Sequence, residues 1–370
     1  MTQNRISRYQ TTARIIAQQS LAPKPGHVVV LCWADYADAL FQPLKLVVEQ
    51  LGAYVITQRW TDATLLGALR NWPREEVARL WMPMEPDGAI RLTNNRFLAA
   101  NRVVGLWSPP VSESGEHQAN ALGLNTAIQA GTQKLGQIDS HAAAKLVLLE
   151  WPRGCRKDLT IDFSHDEVTT LYLDAMEQDA AVIGQTNSRI LALVANTQTA
   201  RLSCPLGTDL TFEIKGRTWR DESMEARQNT GPIYVPGGEV YVAVNEGRTD
   251  GQLVFSMAGQ LCRLTIRKGL SVELTTPSLK LTELLSRQLA LGIEPVSELG
   301  IGTNPGATAL QIGSLCEKAY GTVHVAVGSN HHLGGQHRST RHIDLLVQHP
   351  TLYTDGTCIV SNGRLNWEET

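Results

Sequence analysis

HVVVLCW at residues 27–33, AYVITQ at 53–58 and RVVGLW at 102–107 are short apolar runs separated by segments long enough to hold helices. The first follows Pro23 and Pro25 and suits a buried strand. Residues 35–51 after it have helical spacing, with Asp35 as the cap and Pro43 as an interruption. Residues 61–71 open on Thr-Asp and continue as a second helix. Strands that alternate with helices of this length pair in parallel through helical crossovers, so the first half reads as α/β.

Working outward, residues 139–150 (ending KLVLLE) read as a helix that WPRG breaks, and residues 165–184 carry another helical pattern. The character then changes. Residues 189–194 (RILALV), 198–204, 209–214, 239–244, 252–256 and 261–267 are short, rich in Val, Leu, Thr and Ile, and separated by Gly and Pro. They read as strands and turns, with one clear helix at 277–291. The expectation is an α/β N-terminal domain with a parallel sheet over 1–175 and an α+β, β-rich metal-binding catalytic domain over 176–370.

A formal net charge of -3 without a basic stripe excludes nucleic acid as an expected partner. No stretch approaches the ~20 apolar residues of a membrane span, and the polar N-terminus lacks a signal-peptide core. The six cysteines (Cys32, Cys155, Cys204, Cys262, Cys316, Cys358) are scattered and none forms C-x-x-C. Reduced thiols in a cytoplasmic protein are expected.

Chemistry concentrates in four segments of the second half. In HID (342–344), alternation along a strand puts His342 and Asp344 on one face, with Ile343, Leu345 and Val347 on the other. In GTVHVAVG (321–328), His324 shares a face with Ala326 while Val323, Val325 and Val327 take the opposite one. In PGGEVYVAV (236–244), Glu239 opens a strand behind two glycines that permit close backbone approach. In ELGIGTNPGA (298–307), Glu298 precedes a Gly-rich loop that has no lysine at nucleotide-binding spacing.

Each motif alone has an ordinary explanation: a core histidine, a strand-edge glutamate, a helix-terminal charge. Together they supply three carboxylates and two imidazoles in apolar, Gly-flanked settings. Two divalent ions and a bridging hydroxide would nearly balance the three negative charges, and two such ions can clamp both oxygens of a hydrolysis. The absence of Cys from all four motifs points to zinc, cobalt, manganese or iron on N/O ligands rather than a structural zinc. Arg338 and Arg341 flank the site as candidates for binding a substrate carboxylate. His165, His117 and His141 read as solvent or capping residues, and Trp33, Trp60, Trp81 and Trp107 as core.

Over about residues 225–365, the four ordered motifs resemble those of the thermophilic-type metallo-aminopeptidases, the aminopeptidase T and AmpS family. The resemblance implies two metal ions held by Glu239, Glu298, His324, His342 and Asp344, a nucleophilic water between them, and a homodimer. It also implies a hydrolase acting on a small-molecule or short-peptide substrate, with Glu298 able to pass a proton. The family carries a Tyr seven residues after the strand histidine, thought to assist catalysis; that position falls here on His331, which the resemblance makes a catalytic candidate able to donate a hydrogen bond. The same fold family includes the 2,5-dihydroxypyridine ring-cleaving dioxygenases, which use a single iron(II). Asn330, Gly334, Gly335, His342 and Asp344 match their N-x-x-x-G-G loop and H-x-D ending. A non-catalytic binding protein on the same fold is the third reading.

Overall fold

The computed structural model describes residues 3–61, 97–106, 145–152, 163–226, 231–257, 259–310, 312–339 and 341–369, with a few positions between 71 and 92. Two compact units divide these residues. One takes those of Met1–Arg156, Phe163–Ala181 and Met224–Gly237; the other takes those of Val182–Ser223 and Gly238–Thr370.

In the first unit, five strands form one sheet in the order Ile233–Val235, Leu146–Leu149, Arg102–Leu106, Val28–Ala34, Tyr54–Trp60. Every neighbouring pair is parallel. All of Val28–Ala34 beyond its first residue is buried, as a parallel strand covered on both faces requires. The helix Asp38–Gln50 runs through Pro43. Leu40, Phe41, Leu44 and Val48 are fully buried along one face, and that packing outweighs the backbone bond the proline omits. Asp38 begins this helix, after a single 3-10 turn at Asp35–Ala37, and accepts hydrogen bonds from Trp33 and Arg59. A capping box of Ser164 and Glu167 starts the helix His165–Met176, and His165 is exposed just inside it.

Two readings of the sequence are corrected. Residues 146–149 of the expected 139–150 helix form a strand, paired in parallel with Arg102–Leu106; residues 139–144 lie outside the described set. A four-residue run such as LVLL has no period that separates strand from buried helix, and here both of its faces are covered. RILALV (189–194) is not a strand but the end of the helix Ala180–Val194. Ile183, Asn187, Ile190 and Val194 are buried at a spacing of four, three and four, which is one helical face. The pattern at 165–184 is therefore two helices, broken between Met176 and Ala180. Most of the 61–71 expectation, and Trp81, Trp107, His117, His141 and Cys155, fall outside the described residues. The other five cysteines are free thiols, and no described helix is long and apolar enough to cross a membrane.

The second unit is built on two antiparallel sheets. Eight strands order as Leu270–Thr275, Gln260–Arg267, Thr249–Met257, Asp209–Glu213, Thr199–Ser203, Thr351–Thr354, Thr357–Ser361, Arg364–Leu365. Five order as His342–Val347, Val323–Gly328, Val296–Gly302, Glu239–Ala243, Arg220–Glu222. The five-stranded sheet sends Val240, Val242, Leu299, Ile301, Val323, Val325, Val327, Leu345 and Val347 into a core shared with Leu253, Phe255 and Leu264 of the larger sheet. The period of two then puts Glu239, Glu298, His324, His342 and Asp344 together on its other face.

Asn187 fixes the helix Ala180–Val194 to that sheet. Its side-chain amide donates to Asp221 Oδ1 at 2.5 Å and to the Glu239 carbonyl at 3.1 Å, and it accepts from Thr303 Oγ1 at 2.6 Å. Asn187→Ala would leave those buried partners unsatisfied and is expected to cost about 2–4 kcal/mol. Urea unfolding measures this, and a loss below ~0.5 kcal/mol would contradict the assigned role.

Candidate metal centre

The register of the five-stranded sheet sets the spacing of the ionisable groups. Glu298 pairs across to Ala243 and Ala326, His324 to Gly300, and Asp344 to Ala326. Each long polar side chain thus lies over a small residue of the next strand. Gly300 is the tightest case: a Cβ there would sit 2.1 Å from His324 Cε1, so only glycine lets the ring lie flat on the neighbouring strand. Gly238, at φ +121°, brings the backbone before Glu239 against Asn304, as the paired glycines of that motif led one to expect.

The five side chains converge. His324 Nε2 lies 3.4 Å from Glu298 Oε1, 3.6 Å from Glu239 Oε2 and 3.8 Å from Asp344 Oδ1. His342 Nε2 lies 3.1 Å from Glu298 Oε2 and 3.5 Å from Asp344 Oδ1. Two donor groups able to hold a metal result, Glu239–Glu298–His324 and Glu298–His342–Asp344, each with its donor atoms within 4.8 Å of one another. Glu298 belongs to both. Glu239, Glu298 and His324 are buried, whereas the side chains of His342 and Asp344 keep about a quarter of their surface, so the cluster opens at that end.

Glu239 Oε2, Asp344 Oδ1 and His324 Nδ1 are buried without a hydrogen-bond partner. Buried acceptors are normally satisfied. Orphaned oxygens of two carboxylates, facing two imidazoles among N/O donors, fit a divalent cation. His342 Nδ1 lies 2.8 Å from the Ser329 carbonyl. A carbonyl only accepts, so Nδ1 carries the proton and Nε2 is turned to the cluster, the orientation a metal-binding imidazole needs.

Without a cation, protons do the balancing. Burial opposes the charged forms of His324, His342, Glu298 and Asp344, but their mutual contacts outweigh it. The His324 imidazole is raised to about 9 against its burial by Glu298, Glu239 and Asp344. Burial disfavours the His342 imidazolium too, yet the Asp344 and Glu298 carboxylates carry its pKa well up. Burial likewise works against the Glu298 carboxylate, and the two histidines bring it down to about 2.

Four residues not singled out from sequence complete the surroundings. Lys318, from the short helix Leu315–Lys318, places Nζ 2.5 Å from Glu222 Oε1, 2.8 Å from Glu239 Oε1 and 3.4 Å from Glu317 Oε1, all in the interior. Glu317 is raised well above the carboxylate range by burial and by the charge of Asp344, to which it hydrogen-bonds. Glu222 stands directly across from Glu239. His332 sets its ring edge-on against His342 with centroids 5.0 Å apart, and burial and the His342 charge bring its pKa down to about 4.

His332, not the expected His331, is therefore the imidazole beside the centre. Both lie in the 3-10 turn His331–Leu333, where successive side chains point about 120° apart, so one of the pair faces the cluster. Among the described residues, no hydrogen bond, ion pair or ring contact joins the His331 side chain to it. Arg338 and Arg341 are exposed. Arg341 leans toward Glu294 Oε1 at 3.5 Å, in a group where His337 and Ser339 also bond Glu294, so it ties the loop to the segment that leads into the middle strand Val296–Gly302 rather than reaching the cluster.

No protein-family model matches this chain, and no curated protein matches it by sequence. Solved structures do match. AmpT from Thermus thermophilus superposes with a TM-score of 0.68 at 16% identity, over 97% of this chain and 99% of its own. The 2,5-dihydroxypyridine dioxygenase of Pseudomonas putida superposes with a TM-score of 0.64 at 14% identity, over 98% of this chain and 97% of its own. The chain shares their fold. These are the two enzyme groups that the sequence resembles, the first through the four motifs and the second through the N-x-x-x-G-G loop and H-x-D ending, and at such identities the likeness speaks for the fold alone. Beside the shared fold stand the clustered donors, two groups of buried or half-buried Glu, His and Asp side chains able to hold a metal ion.

Two outcomes follow from the geometry. Gly300→Ala is expected to displace the His324 ring and weaken metal binding at least ~tenfold while the protein stays folded, read by metal titration beside circular dichroism; unchanged affinity would contradict the packing described. Because both imidazoles hold protons that a cation must displace, affinity should rise with pH from about 6 toward 9, with proton release on binding. Calorimetry in buffers of different ionisation enthalpy measures that release, and pH-independent affinity would contradict it.

Proposed function

We propose that the protein is a metal-dependent hydrolase that cleaves an amide or peptide bond of a small substrate, in the manner of leucyl-type aminopeptidases. The observation that carries this reading is Glu298. Its two oxygens face different imidazoles, Oε1 toward His324 and Oε2 toward His342, so one carboxylate serves two adjoining donor groups. A lone cation would need only Glu298, His342 and Asp344, leaving Glu239 and His324 buried without purpose.

A pair of zinc, cobalt or manganese ions held there would supply a water of lowered pKa and polarise a carbonyl. The residues contribute the rest. Glu298 is committed through both oxygens to joining the two groups, which turns it from the proton carrier expected from sequence into a bridging ligand. Glu239 and His324 form the closed floor; His342 and Asp344 form the rim, where substrate enters. In this reading His332, at that rim, hydrogen-bonds the substrate, the role that the family resemblance gave to His331. Lys318 sits among the acidic groups of the closed side, with Glu222, Glu239 and Glu317 all within 3.4 Å of its Nζ. A cytoplasmic homodimer belongs to the same proposal.

The test is turnover without oxygen. The protein should hydrolyse amino-acid amides or p-nitroanilides anaerobically, and His342→Ala and Asp344→Ala should each lower activity at least ~100-fold and reduce metal content without unfolding the chain. Oxygen consumption with a dihydroxylated heteroaromatic, ceasing when air is removed, would replace the hydrolase by an iron(II) ring-cleaving oxygenase.

A further inference from the structure

The two donor groups are built differently. In the first, Glu239 is shared with a resident cation: Lys318 Nζ holds Oε1 at 2.8 Å and leaves only Oε2 facing His324. The lysine cannot move away cheaply. Its side chain is 4% exposed, and Glu222 at 2.5 Å and Glu317 at 3.4 Å keep its ammonium in the interior. The His324 ring is not oriented by any acceptor, since Nδ1 has no partner. In the second group no lysine or arginine pairs with Glu298 or Asp344 among the described residues. His342 is oriented by the Ser329 carbonyl, and both Glu298 Oε2 and Asp344 Oδ1 face its Nε2.

The geometry points to two metal subsites of unequal affinity, with Lys318 as the positioning residue that makes them so. Glu298–His342–Asp344 binds first and tightly; Glu239–Glu298–His324 binds second and weakly. The inference rests on reading the cluster as a metal centre. Its physical basis is competition. A fixed positive charge within hydrogen-bonding distance of Glu239 repels an incoming divalent ion and takes up one of the two oxygens that would bind it. The Ser329 carbonyl gives the second group a further advantage, because accepting from Nδ1 fixes the His342 tautomer and raises the basicity of Nε2. The protein would therefore hold one ion when free metal is scarce and two when it is plentiful, so that occupancy of the Lys318 side follows metal supply.

Cobalt(II) titration of the full-length metal-free protein, followed by visible absorption and by metal content after equilibrium dialysis, tests this. The wild type should show two classes of site separated by at least ~tenfold in Kd. Glu239→Gln should remove the weak class and leave the tight one, and Asp344→Asn should remove the tight one. Lys318→Met, similar in length but uncharged, should tighten the weak class at least ~tenfold and bring the two classes together. Two equal classes in the wild type, loss of the tight class in Glu239→Gln, or a weak class unchanged or weakened in folded Lys318→Met would each overturn the inference. If Lys318→Met does not fold, the wild-type, Glu239→Gln and Asp344→Asn titrations decide alone. A wild type that binds no cobalt would instead overturn the metal centre itself, which separates the two failures.

Discussion

Glu298, buried with one oxygen toward each of two histidines, is the constraint around which the second unit is arranged. A carboxylate taken out of water costs several kcal/mol unless charge and hydrogen bonds compensate, and apolar residues of the same volume would be as stable or more so. Stability therefore does not account for this cluster. Around it the sheet makes specific concessions: glycine at 300 so that His324 can lie over its neighbour, and alanine at 243 and 326 opposite Glu298. Valine and leucine on the reverse face hold the register that brings the five donors to one place.

Much of this was legible in the sequence because a strand has a period of two. Once GTVHVAVG and RHIDLLV are recognised as strands, their valines and leucines fix one face, and the imidazoles and Asp344 must share the other. The same logic placed Glu239 and Glu298. It stopped where the period stops. Lys318 and Glu317 come from a four-residue helix in a connecting segment, and only the fold brings them against Glu239 and Asp344. Glu222 owes its place to cross-strand register with Glu239, and register is not visible in a three-residue strand. Counting seven residues from the strand histidine led to His331, but a 3-10 turn presents its neighbour instead. LVLL in the first unit and RILALV in the second went astray for a related reason: short apolar runs leave strand and buried helix indistinguishable, and the neighbours each run packs against decide between them.

The fold by itself does not choose a reaction. It superposes about equally well on AmpT of Thermus thermophilus and on a 2,5-dihydroxypyridine dioxygenase of Pseudomonas putida, and chemistry resides in the site rather than the scaffold. In the hydrolase we propose, it is the donor set that separates the two readings. On that proposal Glu239 and His324 serve a second ion, and Lys318 ties that position to Glu222 by bonding both glutamates. On the same proposal, occupancy by one or two ions depends on the residues on the closed side of the cluster, and His342, Asp344 and His332 on the open side would meet the substrate.

The most direct test of the centre is anomalous diffraction from crystals grown at saturating zinc, with data collected on both sides of the zinc absorption edge. The expected result is anomalous density about 2.0–2.2 Å from Glu298 and His342, with a second peak toward Glu239 and His324 that shares Glu298 as a ligand. Zinc bound only elsewhere on the protein, or no peak beside Glu298 at saturation, would contradict the central claim.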